Sequence, residues 1–304
     1  MSESSRFEGP IGIFDSGYGG LTVLSEVISR MPFESTVFVG DSAHFPYGPK
    51  GLDEVREYAL GICSYLVERG CKLIVIACNT ATAASLRAAQ MRFGVPIIGV
   101  VEPGARAAVH MTHNRRIGVI ATQGTVDTNA YPDAIHNLDA GVEVFSEAAP
   151  KLVDIAEAGI QFRALPNEGQ VADPAQQQMI VSDRGVLDAE SGSVYMEIAE
   201  GYLAPLKEAG VDTLVLGCTH FPLIEPLVQN VMGDGVALVS SAEETAREAV
   251  EVLGRRGQLA QPSQIPTREF LTTGESVAEF ERFGRIVLGE ALDKVEHVGL
   301  WEKQ

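Results

Sequence analysis

Short Val- and Ile-rich runs punctuate the chain: IGIF at 11–14, TVFVG at 36–40, LIVIA at 73–77, VPIIGVV at 95–101, RIGVIA at 116–121, VEVF at 142–145, TLVLG at 213–217 and VALVS at 236–240. Most are bounded by Gly, Asp, Ser, Thr or Pro, which fits strands buried on both faces of a parallel sheet better than half-exposed strands. Between them lie segments such as LDEVREYALGICSYLVERG, whose apolar residues recur at helical spacing before a glycine stop. Strand alternating with helix confines the chain to an α/β architecture with right-handed crossovers.

The runs also form two sets of four. IGIFDSG and IGVIATQG, like TVFVGDS and VEVFSEA, stand about 106 residues apart, whereas LIVIACNTA and TLVLGCTHF, like VPIIGVVEPG and VALVSSAEET, stand about 140 apart. A duplicated unit with roughly 35 extra residues between the second and third strands of its second copy accounts for both offsets. That insertion falls near 160–195, a polar stretch rich in Gln, Asp, Ala and Pro that reads as a loop or lid. Two similar domains facing each other would place a site in the cleft between them.

Composition narrows the partners. At 304 residues, 45% hydrophobic and 21% charged, the chain has material for two domains of ordinary size, each with its own core. Its apolar runs are too short to span a bilayer and MSESSRFEGP lacks a signal-peptide pattern, so a cytoplasmic protein is expected. A net charge of -18 would repel a nucleic-acid backbone or an anionic membrane, yet backbone dipoles can bind a small acidic ligand inside an acidic protein. Cys63, Cys71, Cys78 and Cys218 show neither a disulfide framework nor the paired spacing of a zinc site, and no metal is expected.

Two of those cysteines recur in the same setting. Cys78 in LIVIACNTAT and Cys218 in TLVLGCTHFPL each follow a buried-looking strand and precede small hydroxyl or amide residues, where open parallel sheets bind ligands. A thiol titrates near ~8.5, close enough to neutrality to give or take a proton, and a helix N-terminus after each cysteine would favour the thiolate. One buried cysteine alone reads as a small hydrophobe; two in matched settings suggest one site with two faces. Cys63 and Cys71, on or just after the helix that ends at Gly70, read as structural.

Other residues gather around these strand ends. Asp15 precedes a glycine-rich turn, DSGYGG, in which Gly17, Gly19 and Gly20 allow close backbone approach and positive φ. Dinucleotide and P-loop spacings are absent, so Asp15 either orients a neighbouring acid or base or caps a helix. In GDSAHFPYG, Tyr47 and Gly48 could offer backbone amides to a carboxylate, or form an ordinary Pro-containing loop; His44 carries no assigned role. His220 could tune Cys218 or share its proton, or be a satisfied structural histidine.

Taken together and in order, DSGYGGLTVL, GDSAHFPYG, ACNTATA, GVVEPG, ATQGTV and LGCTHFPL resemble the motifs of the glutamate racemases, cofactor-independent enzymes that interconvert L- and D-glutamate. The resemblance runs from residue 11 to the FLTTGE segment at 270. It implies two pseudo-symmetric three-layer α/β domains with mainly parallel sheets and the active site in the interdomain cleft. The first domain would be discontinuous over 1–103 and 241–304, and the second would cover 104–240. It further implies Cys78 and Cys218 as the catalytic pair acting on opposite faces of the α-carbon, assisted by Asp15 and His220. Substrate-binding pairs would be Asp15 and Ser16, Tyr47 and Gly48, Asn79 and Thr80, and Thr219 and His220, with Thr122 and Thr125 on a nearby loop. Glu157 matches an auxiliary acidic residue when APKLVDIAEAG is aligned on its proline and lysine, although Ala149 stands where many members have cysteine. A homodimer without cofactor, supplying D-glutamate to peptidoglycan synthesis, completes what the resemblance implies.

Chemistry agrees with that implication but leaves rivals. One thiolate would remove the weakly acidic α-hydrogen while the opposite thiol reprotonates the carbanion with inversion. Racemisation of aspartate or another amino acid would use the same logic. A ligand-binding α/β protein with Cys78 and Cys218 as redox switches is a different class; the polar residues matched after both cysteines favour catalysis.

Overall fold

The computed structural model describes residues 9–164 and 189–301. All eight apolar runs become strands: β1 (Ile11–Asp15), β2 (Thr36–Gly40), β3 (Leu73–Ile76), β4 (Ile97–Gly99), β5 (Arg116–Ala121), β6 (Glu143–Ala148), β7 (Thr213–Gly217) and β8 (Ala237–Ser240). Two more strands, β9 (Arg268–Thr272) and β10 (Val295–His297), carry no apolar run of comparable length, which is why sequence reading passes over them. The run at 95–101 yields only a three-residue strand because Val101 already opens the next helix.

The strands form two sheets, in the orders β10-β9-β2-β1-β3-β4 and β6-β5-β7-β8, and every pairing is parallel. The order β2-β1-β3-β4 of the first sheet is repeated by β6-β5-β7-β8 in the second, the same correspondence as the two offsets in the sequence. β9 and β10 extend the first sheet beyond β2, so the two halves are alike in plan but unequal in size. β1, β2, β3 and β7 are buried along their whole length, whereas the edge strand β6 is half-exposed.

Helices cover both faces of each sheet. On one face of the first lie α1 (Leu21–Arg30), α10 (Ser241–Arg255) and α11 (Val277–Leu288), burying Leu24, Phe38, Phe270 and Phe280. Phe38 and Phe280 meet edge to face at 5.7 Å, and truncating either to alanine would cost about 3–5 kcal/mol. On the other face lie α2 (Leu52–Glu68) and α3 (Asn79–Arg92), where Cys63 and Cys71 are buried as packing groups. The second sheet is covered by α4 (Val101–Met111) and α6 (Ala130–Leu138) on one face, and by α7 (Lys151–Ala164), α8 (Ala189–Glu208) and α9 (Glu225–Met232) on the other. A short helix, α5 (Gln123–Asp127), follows β5. A buried ion pair, Lys72 Nζ to Glu34 Oε2 at 2.6 Å, ties the segment after α10 to the first sheet, because Lys72 donates to the Gln258 carbonyl and Glu34 accepts from the Ala260 amide.

The bulk of the insertion read as a loop or lid, 165–188, lies outside the described residues. Its flanks are helical instead of looped: 160–164 ends α7 and 189–195 opens α8.

In each sheet the chain crosses in opposite directions from the two central strands. These are β1 and β3 in the first sheet and β5 and β7 in the second, and a crevice opens at their C-terminal ends. Asp15 ends β1, Cys78 follows β3, Thr122 follows β5 and Cys218 follows β7. The repeated topology thus brings four strand ends together from two sheets.

Candidate active site

A cavity of about 410 Å³ opens between these strand ends, with Cys78 and Cys218 both in its wall. Ser16, Tyr47, Gly48, Asn79, Thr80, Thr122, Thr219, His220 and Glu157 also line it. Asp15 and Thr125 stand behind that wall. Both are buried, and they reach the cavity only through the side chains they touch.

Cys78 caps α3. Its Sγ accepts from the Ala81 amide at 3.4 Å and donates to Ser16 Oγ at 3.6 Å. The helix N-terminus does not leave this group ionised, as the sequence had suggested. Burial, reinforced by the Asp15 carboxylate, pushes the thiol up to about 12, and the Ala81 and Ser16 contacts offset only part of that. Cys78 therefore rests as a protonated thiol at neutral pH.

Cys218 has another setting. The chain continues from it into a four-residue 3₁₀ turn, Phe221–Ile224, with no α-helix until α9, so little helix dipole reaches the sulfur. Its partner is an imidazole: His220 Nδ1 lies 3.8 Å from Cys218 Sγ, and His220 Nε2 lies 3.4 Å from Glu157 Oε1. The Nε2 contact is close enough for ionic attraction but is not aligned as a hydrogen bond. Burial alone would lower the histidine; the Cys218 and Glu157 contacts, with the charge of Asp15 behind them, raise it to about 10. The imidazole is thus held protonated, with Nδ1 facing the Cys218 sulfur.

Asp15 links the two sides. Its Oδ2 accepts from the Gly17 amide at 3.0 Å and its Oδ1 from Thr219 Oγ1 at 3.5 Å. Burial raises its carboxyl above the usual range, while His220 and the amides of Gly17, Gly20 and Ser16 pull it back. The glycine turn after it works by close approach alone, since none of Gly17, Gly19 and Gly20 adopts positive φ. A Cβ on Gly19 would fall 2.4 Å from Thr219 Oγ1 and 2.7 Å from His220 Cε1, so that glycine lets the second half's site residues meet the first half's turn.

Hydroxyls close the seam elsewhere. Thr80 Oγ1 lies 2.9 Å from Thr122 Oγ1 and 3.3 Å from Thr125 Oγ1, and the last two are 3.1 Å apart, a triangle joining α3 to the loop after β5. Gly124 donates its amide to the Gly48 carbonyl at 3.1 Å, which fixes the 45–49 loop against the second half. That loop is anchored from below by the buried Asp41, which accepts from the Tyr47 hydroxyl at 2.5 Å. His44 also contacts Asp41 and stacks on Tyr58 at 3.8 Å, a packing role.

Sequence reading missed part of the wall. Phe45, Pro49 and Gln123 line the cavity, as do Pro150, Lys151, Val153 and Asp154. Positions 150, 153, 154 and 157 recur at three and four, so the helical period that places Glu157 on one face of α7 was a signal for its neighbours too. Among the described residues no three His, Cys, Asp or Glu side chains converge to hold a metal ion, and no helix is long and apolar enough to cross a membrane.

Comparison with known proteins places this architecture. Residues 22–249 match the model of the Asp/Glu/hydantoin racemase family. A glutamate racemase from Corynebacterium diphtheriae is 44% identical over 287 residues, covering 94% of this chain and 97% of that protein. The crystal structure of a glutamate racemase from Bacillus anthracis superposes with a TM-score of 0.81 at 38% identity, over 95% of this chain and 97% of that one. A Francisella tularensis glutamate racemase, solved in complex with D-glutamate, superposes with a TM-score of 0.80 at 27% identity, over 97% and 99% of the two chains.

Proposed function

The chain belongs to the glutamate racemases of the Asp/Glu/hydantoin racemase family, and we propose that it racemises glutamate by a two-base mechanism with Cys78 and Cys218 as the acid and base. The single observation that carries this reading is the pair of thiols in one cavity wall with opposite electrostatic settings. Cys78 is buried beside a carboxylate and keeps its proton, and the Cys218 sulfur faces the ring of a histidine held protonated. On this reading Cys78 is the acid and Cys218, beside that cation, the base of the first direction.

In the forward direction the Cys218 thiolate takes the α-proton from one enantiomer and the Cys78 thiol delivers its own proton to the opposite face. Cys218 ends as thiol and Cys78 as thiolate, and the reverse reaction runs the same steps backward. The α-hydrogen is very weakly acidic, so the electron pair left on carbon must be spread onto the α-carboxylate and met there by fixed donors. Ser16 Oγ, Asn79 Nδ2 and the amides of the 45–49 loop are the donors available. Asp15 and Glu157 hold His220 protonated, and Thr80, Thr122 and Thr219 complete the polar seam around the substrate.

The Francisella relative holds D-glutamate, which supports glutamate as the substrate here. By the family resemblance the product would feed cell-wall peptidoglycan, and the enzyme would act as a homodimer. Release of a substrate enclosed between two halves would require them to part.

The test is turnover of L- and D-glutamate in deuterated water without added cofactor. The expected result is racemisation with one deuterium entering the α-carbon of the product. Absence of turnover on both enantiomers, or racemisation without exchange of the α-hydrogen, would sink the two-base reading.

A further inference from the structure

Asn79 is buried in the wall of the site, and the two ends of its amide are treated differently. Oδ1 accepts a 2.7 Å hydrogen bond from the Tyr131 hydroxyl, whereas Nδ2 has no protein partner. Turning such an amide end for end changes its shape little, so the bond at one end decides which atom the other end presents. A buried donor left without a partner is destabilising unless something arrives to accept from it.

Tyr131 comes from the other half of the molecule. It lies in the first turn of α6, on the second sheet, and reaches across to the first residue of α3 on the first sheet. Its ring is wholly buried in a slot between two glycines. A Cβ on Gly217, at the end of β7, would fall 3.0 Å from its ring, and one on Gly104, in α4, would fall 3.4 Å from its hydroxyl oxygen. Helix α6 begins from Asn129 in the left-handed region, a conformation that asparagine tolerates and that sets the direction in which the helix starts. The phenol's own proton is the one that goes to Asn79 Oδ1. Burial raises the phenol, so that proton is retained across the working pH range.

We propose that Tyr131 is a positioning residue for the racemase. Its hydroxyl, donated from the second half to Asn79 Oδ1, locks the amide with Nδ2 facing the cavity as a preset donor to a substrate carboxylate. The inference rests on the glutamate-racemase reading of this cavity and adds a role for a side chain that is absent from the cavity wall. It also accounts for Gly104 and Gly217, which the Cys78 and Cys218 chemistry leaves unused: they make the slot.

Tyr131→Phe keeps the ring and removes only the donor. KM for both enantiomers is expected to rise about tenfold with kcat within about threefold, the pattern of a lost ground-state contact, and the melting temperature to stay within a few degrees. Asn79→Ala should raise KM at least as much. Because Tyr131 acts through Asn79, adding Tyr131→Phe to Asn79→Ala should cost nothing further. An unchanged KM in Tyr131→Phe, or losses that multiply in the double variant, would overturn the proposal. Wild-type turnover on glutamate tests the underlying reading separately. If that were absent, the side-chain amide signals of Asn79 in the free proteins would still decide the lock. Displaced or broadened signals in Tyr131→Phe support it, and signals identical to wild type reject it.

Discussion

Cys78 and Cys218 end equivalent strands of two sheets with the same strand order, yet they are prepared in opposite ways. Cys78 caps a 14-residue helix but is sealed from solvent beside Asp15, and burial outweighs the helix dipole. Cys218 precedes only a short 3₁₀ turn, and its sulfur faces His220 Nδ1, with Glu157 beyond the ring. The lesson is that a repeated fold supplies two thiols at matching positions without supplying two matching sets of neighbours. A racemase gains from that inequality, because it needs one acid and one base at the start of each turnover.

The largest effects should come from the sulfurs. Cys78→Ala and Cys218→Ala are each expected to lower racemisation by about 10³-fold or more, since each removes one proton carrier. The sharper outcome is in isotope exchange. Each variant should still exchange the α-hydrogen of one enantiomer only, and the favoured enantiomer should differ between them; exchange of the same enantiomer in both would mean the thiols do not face opposite sides.

His220 bears directly on the inequality. His220→Gln should lower kcat by about 10²-fold and shift the alkaline limb of kcat/KM. The folded histidine is raised from 6.5 to about 10, so its contribution to stability is complete below about 6.5 and fades as pH rises through about 10. Thermal melts of the wild type should accordingly fall over that window, and those of His220→Gln should fall less. Equal slopes would show that the imidazole is not held protonated.

How much of the molecule was open to sequence reading depends on distance along the chain. The eight runs, their pairing into two sets and the positions of Cys78 and Cys218 were legible because burial on both faces and strand ends are local patterns. The ionisation of Cys78 was not, since it depends on Asp15, a neighbour from another strand, and on enclosure that no motif records. The positive φ expected of the DSGYGG turn failed for a similar reason: Gly19 answers to Thr219 and His220, about 200 residues away. β9 and β10 were missed because REFLT and VEH carry too little apolar sequence to read as strands. Tyr131 lies in an unremarkable NAYPDA stretch, and only its partner Asn79 drew notice.

Asp15 tests whether the site is tuned at the expense of the fold. A carboxyl raised by burial stabilises the protein fully below its unfolded value of 3.8 and progressively less as pH climbs through its raised folded value. At neutral pH its charge is therefore a cost. Asp15→Asn keeps an oxygen for the Gly17 amide and removes that charge, so the melting temperature should rise by about 2–4 °C while kcat falls about tenfold through loss of support for His220. A lower melting temperature with unchanged activity would reverse both halves of this argument.

The smallest effect should come from the anchor beneath the Tyr47–Gly48 loop, on the Cys78 side. Asp41 is fully buried and accepts from Tyr47 at 2.5 Å, Thr273 at 2.6 Å, Trp301 Nε1 at 2.8 Å and His44 at 3.0 Å. Trp301 lies 260 residues along the chain from Asp41, and its ring also packs on His44 and Tyr58. Trp301→Phe removes one of several donors and keeps most of the packing, so the carboxylate stays satisfied and the loop should loosen only slightly. KM should rise about two- to threefold with kcat unchanged, the size of one shared hydrogen bond. Across the cavity, the loop after β5 is held by the Thr80, Thr122 and Thr125 hydroxyls instead. A Trp301→Phe change that lowered kcat while sparing KM would mean that the anchor positions Cys78 itself, through the Ser16 side of the cavity, and the division between a binding loop and a catalytic strand end would have to be redrawn.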